Sequence, residues 1–131
     1  MAEHPNVALV RRAMQAMNEM DMSRADEEMA VVEAFMADDI VWHEIGRAEP
    51  RRGKDELRAT MSTMSDVTIK YELHDVVAND DHAIALGTAT ETRNGKTLIY
   101  RTAEILHIRD GKATERWAFS DDTAAIVAFF A

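Results

Sequence analysis

His43 is the residue of this chain best suited to moving a proton. It stands beside Trp42 in DDIVWHEIG, where an apolar strand begins. An imidazole with an unperturbed value of about 6.5 gives or takes a proton at neutral pH. The plainer reading of His43 is a buried histidine satisfied by a neighbour. Glu104 lies between apolar residues in RTAEILHI. A carboxylate buried there is costly unless it is paired or protonated. It is therefore either a general acid with a raised pKa or the partner of Arg116 on the adjoining strand. An arginine fork also holds a carboxylate or an enolate. Tyr100 shares a strand face with Glu104, where its hydroxyl either donates to a ligand carbonyl or fills the core. His43, Glu104 and Arg116 are the candidate catalytic set, with His43 and Glu104 expected in one enclosed apolar chamber.

Other chemistries find little support. With no cysteine, the chain has no thiolate nucleophile, disulfide or cysteine metal site, which suits a reducing compartment. His74, His82 and His107 show no metal-ligand spacing, so no metal is expected. Glycine-rich phosphate loops are missing too, and no cofactor is implied. The formal charge of -9 disfavours a nucleic-acid surface. RAEPRRGK is the one local basic cluster, and it reads as a loop. MAEHPNVALV lacks the pattern of a signal peptide, and no apolar run reaches about 18 residues. The expected location is cytoplasmic, with no membrane or nucleic-acid partner.

The elements that would position these residues follow from periodicity. A chain of 131 residues, 47% apolar, suits one domain with a real core. Val7, Val10, Met14 and Met17 predict a helix over Pro5 to Met20. Met29, Val32, Phe35 and Met36 predict a second, ending near Ala37. Ile40 to Ile45 reads as a short strand, GRAEPRRG as a loop, and Lys54 to Met64 as a third helix with Leu57, Met61 and Met64 on one face. Methionine at helical spacing builds a core or lines an adaptable apolar pocket. Met17, Met61, Phe35, Trp42 and Tyr100 are thus the candidate ligand-binding residues, and a small hydrophobic molecule is the expected ligand.

Four long strands follow, at Val67 to Val77, His82 to Arg93, Thr97 to Ile108 and Lys112 to Phe119. Asn-Gly in RNGK and Asp-Gly in RDGK are strong hairpin signals, and ANDD makes a third turn. The predicted class is α+β: a cone-shaped, strongly curved antiparallel sheet covered by three helices from the N-terminal half. The tail DDTAAIVAFFA is a short helix or an apolar arm. Ala83, Ala85, Gly87 and Ala89 form an all-small face, which allows close approach and curvature or leaves room for a ligand. Neither alternating set of the last two strands is plainly polar. A second copy covering the outer sheet face near Trp117 would solve this, so a homodimer is expected.

FMADDIVWHEIG, the glycine of RRGKDEL, DDHAIALGTATETRNGK and HIRDGKATERWAFSDD together resemble the SnoaL-like branch of the superfamily named after nuclear transport factor 2. The resemblance runs from about Val7 to Phe130 and implies one SnoaL-like domain over residues 1–131, with a cystatin-like roll. The superfamily includes ketosteroid isomerases, limonene-epoxide hydrolases and polyketide cyclases. Likeness to the isomerases puts a catalytic base at His43, a second cavity acid near Glu104 and another near Tyr100. It finds Met14 and Met17 where their first helix carries a tyrosine. Likeness to the epoxide hydrolases puts their last-strand aspartate near Ala118, beside Arg116, without a second acid. Likeness to the cyclases points to Asp121 and Asp122. The function implied is an isomerase- or cyclase-type acid–base enzyme on a small hydrophobic carbonyl or hydroxyl compound. The alternative is a non-catalytic, dimeric small-molecule-binding module.

Overall fold

Two turns with positive φ fold the second half of the chain into a meander. Asn94 and Gly95 take φ of 53° and 75°, and Asp110 and Gly111 take 52° and 75°. Two successive left-handed residues make the turn whose twist matches that of paired strands. In the third turn the Asn79 side chain accepts from the backbone N–H groups of Asp81 and His82. The computed structural model describes residues 3–18, 25–62 and 66–131.

The turns join β3 (Thr68–Ala78), β4 (His82–Arg93), β5 (Lys96–Arg109) and β6 (Lys112–Ser120). With β1 (Met36–Trp42) and β2 (Arg51–Arg52) they form one curled, unclosed sheet in the order β2-β1-β6-β5-β4-β3. All pairings are antiparallel except β1 with β6, which is parallel. The antiparallel meander of β3 to β6 is as expected, and β1 adds to it in parallel. A strand arriving from the helical half of the chain is free of the hairpin constraint and joins the meander's last strand in the same direction.

Helices α1 (Pro5–Asn18), α2 (Ala25–Phe35) and α3 (Gly53–Ser62) come from the N-terminal half, as predicted. Val7, Val10, Ala13 and Ala16 are the buried face of α1. The two alanines let the helix sit close to the sheet, and Met17 faces outward, 46% exposed. The main core joins Val7, Val10, Val32, Met36, Ile40 and Leu57 to Val76, Ala83, Ala85, Leu106 and Ile108. Ile40 and Val10 are fully buried, worth roughly 1.5–3 kcal/mol each by transfer. The tail is a helix, α4 (Thr123–Phe130), with Asp122 capping the Ala125 N–H at 3.0 Å. It packs Ile126 against Ala89 and Tyr100 in a second apolar cluster.

Boundaries shift modestly from expectation. The strand predicted from Ile40 starts at Met36, and the expected loop contains β2. Met20 and Met64, with the side chains of Met29 and Met61, lie outside the described residues.

Candidate active site on the concave sheet face

Strand alternation decides which side chains meet beneath the helices. On β5 the inner set is Leu98, Tyr100, Thr102, Glu104, Leu106 and Ile108. Tyr100 belongs to the α4 cluster and Leu106 to the main core. Thr102 and Glu104 between them form a polar belt separating two apolar clusters.

Arg116 reaches that belt from β6. Its Nη2 donates to Oε1 of Glu104, and the two side chains are 12% and 14% exposed. Nη1 donates to the carbonyl of His43 at 3.1 Å. The guanidinium carbon lies 4.2 Å from the centre of the Trp42 ring, a cation–π contact. Among the described residues, Arg116 Nε is buried without a partner. Of the two sequence readings of Glu104, the ion pair is the one observed.

Tyr71 enters the same region from β3. Its ring lies across Gly87, where a Cβ would come within 2.3 Å of the Tyr71 Cζ and Oη atoms. The small-residue face of β4 therefore serves close approach. The Tyr71 hydroxyl sits 3.3 Å from Thr102 Oγ1. Burial pushes this phenol up, with the Glu104 charge adding to the rise and Thr102 and Arg116 opposing it. Tyr71 thus shares an electrostatic environment with the Glu104–Arg116 pair.

Tyr100 shares the inner face with Glu104 but bonds elsewhere. Its hydroxyl donates to Oε1 of Glu91 at 2.9 Å. Glu91 is 4% exposed, and among the described residues its Oε2 has no partner. Burial raises the Glu91 carboxyl, opposed by the Tyr100 bond. Burial also raises the Tyr100 phenol, and the Glu91 charge adds to it. Neither Glu91 nor Tyr71 was among the sequence candidates. Glu91 continues the alternating set Ala83, Ala85, Gly87, Ala89, and that continuation was the available signal.

His43 lies on the other side of the sheet, which corrects the expectation of a chamber shared with Glu104. β1 pairs Trp42 with Arg116 and Val41 with Glu115. Trp42 therefore takes the inner face and the following His43 the outer one. There His43 Nε2 is 2.8 Å from Oε2 of Glu115, and its ring stacks on Trp117 at 5.1 Å. His107 continues the row against Trp117, and His82 against His107.

The remaining ligand-binding candidates separate. Trp42 joins the inner site through Arg116. Phe35 is half-buried against the main core, Met17 faces outward, and the Met61 side chain lies outside the described residues. Among the described residues no three His, Asp or Glu side chains are grouped to hold a metal. Among them too, no helix is long and apolar enough to cross a membrane.

A curled, unclosed sheet with helices packed against it, and an ion pair and a phenol on the face beneath them, defines a class of small α+β folds. Residues 10–116 match the family model described as SnoaL-like domain, and the chain belongs to that family. Solved structures agree on the fold. An NTF2-like protein of unknown function from Burkholderia pseudomallei is 20% identical, with 94% of this chain and 95% of that one covered and a TM-score of 0.77. IdmH, a candidate polyketide cyclase from Streptomyces antibioticus, is 17% identical over 98% and 100% of the two chains, at 0.71. An LEH-like epoxide hydrolase from M. tuberculosis is 17% identical over 96% and 92%, at 0.72. These likenesses establish the fold alone. A search of curated proteins finds no sequence match.

Proposed function

We propose that this chain is a cyclase- or isomerase-type acid–base enzyme acting on a small, mainly apolar carbonyl or hydroxyl compound. The observation that carries the reading is the Glu104–Arg116 pair, sequestered between two apolar clusters on the concave face. Glu104 takes the proton from the carbon next to a substrate carbonyl. The electron pair moves to the carbonyl oxygen, which accepts a hydrogen bond from the Tyr71 hydroxyl. Glu104 then returns the proton to the same carbon or to a conjugated one. Arg116 holds the carboxylate in position, itself fixed by Trp42 and the His43 carbonyl. Structural likeness to a candidate cyclase and an epoxide hydrolase supports this class of chemistry, on a fold that hosts many functions. The test is solvent-deuterium exchange into an enolisable ring ketone, which Glu104→Gln abolishes.

A second reading is the non-catalytic binding module. Arg116 favours it, because its two terminal nitrogens and its guanidinium face are already occupied by the His43 carbonyl, Glu104 and Trp42. Ketone binding without exchange would select it. Both readings include a second copy over the outer sheet face near Trp117, where Phe119 is 56% exposed. Both also include a cytoplasmic location, which the cysteine-free sequence suits.

A further inference from the structure

A groove runs between α1 and the edge strand β3. Arg11, Met14, Gln15, Asn18, Tyr71 and Leu73 line it, and its volume is about 170 Å³. An apolar cavity of about 150 Å³ holds one benzene ring. The groove is therefore sized for a single ring, with Met14, Leu73 and the Tyr71 ring as apolar walls.

Its polar rim offers donors. Asn18 Oδ1 already accepts from the Tyr71 backbone N–H at 2.9 Å, which leaves the amide Nδ2 to donate. Arg11 is held loosely, with Nη2 at 3.4 Å from Asp75 and Nε at 3.7 Å from Glu3. Those two carboxylates and the chain's net charge of -9 oppose an anionic guest. A neutral carbonyl oxygen satisfies the donors without adding charge.

We propose that this groove is a binding port for a neutral single-ring ketone, whose carbonyl accepts from Asn18 and Arg11 while its ring lies between Met14, Leu73 and Tyr71. Tyr71 is the partition between port and polar belt. Its ring borders the groove, and its hydroxyl reaches Thr102 on the concave face through a 3.3 Å contact. The port rests on the acid–base reading only for its destination.

The experiment is methyl NMR of the full chain titrated with acetophenone and, separately, with ethylbenzene. Acetophenone shifts the Met14 and Leu73 methyl signals saturably. Ethylbenzene, which lacks the acceptor, binds about 25-fold more weakly, the worth of two hydrogen bonds. Met14→Trp fills the groove and weakens acetophenone by about tenfold or more. If that variant does not fold, the exposed Asn18→Ala decides by a loss of about fivefold. Equal affinity for the two probes, shifts confined to other residues, or wild-type affinity in the substituted groove overturns the port. Saturable groove binding without deuterium exchange overturns the acid–base reading and leaves the port standing. Exchange that survives Met14→Trp at unchanged affinity overturns the port and leaves the chemistry.

Discussion

The Tyr100 hydroxyl donates to one oxygen of Glu91 at 2.9 Å, and the other carboxylate oxygen is buried with no partner among the described residues. A half-satisfied carboxyl in an apolar setting favours its protonated form, because burial penalises the charge. Burial raises the Glu91 carboxyl in the folded chain, so folding is linked to holding that proton. The contribution is fully present below the unfolded value of about 4.3 and is lost as pH rises through the raised folded value.

Glu91→Gln keeps an acceptor for Tyr100 and removes the titration. Its stability above about pH 4 should decline less with pH than that of the unsubstituted chain. At neutral pH the variant should gain on the order of 1 kcal/mol, because a neutral amide replaces a carboxylate that burial disfavours. Urea denaturation from acid to mildly alkaline pH checks this, and parallel profiles would exclude the linkage.

Gly87→Ala should disturb Tyr71. The new methyl would lie 2.3 Å from the Tyr71 Cζ and Oη atoms and 2.8 Å from the Glu72 carbonyl. The backbone oxygen cannot swing aside as a side chain can. A loss of about 1–3 kcal/mol is expected, the usual cost of overpacking. Chemical denaturation measures it, and a loss near zero would mean that the ring vacates the site freely.

Arg116→Met leaves the Glu104 carboxylate buried without its cation. The expected cost is about 3–5 kcal/mol. Adding Glu104→Gln to that background should restore much of the loss. The double-mutant cycle isolates the pair, and additive losses would show that the two groups act independently.

Trp117→Glu tests the outer face. Sedimentation equilibrium should find the unsubstituted chain dimeric at micromolar concentration and the variant monomeric with its fold intact by circular dichroism. A monomeric parent protein would remove the second copy from the account.

The meander was legible in the sequence because its signals are local. Asn94-Gly95 and Asp110-Gly111 demand left-handed turns, and alternation along β5 correctly set Tyr100 and Glu104 on one face. His43 was misplaced for a nonlocal reason. Which face a residue takes on β1 depends on register with β6, and that register shifts between Met36 and Val41. Alternation puts Trp42 and His43 on opposite faces, but it does not say which of them faces inward. Glu91 and Tyr71 were overlooked because their roles come from depth and from a neighbour lacking a side chain. Gly87 shows its purpose only once Tyr71 lies across it.

Acetophenone methyl exchange in deuterium oxide, followed by proton NMR, tests the central claim most directly. The unsubstituted chain and His43→Ala should both exchange the methyl protons faster than buffer, and Glu104→Gln should fall to the buffer rate. Exchange retained by Glu104→Gln and lost in His43→Ala would contradict the assignment of proton transfer to the concave face.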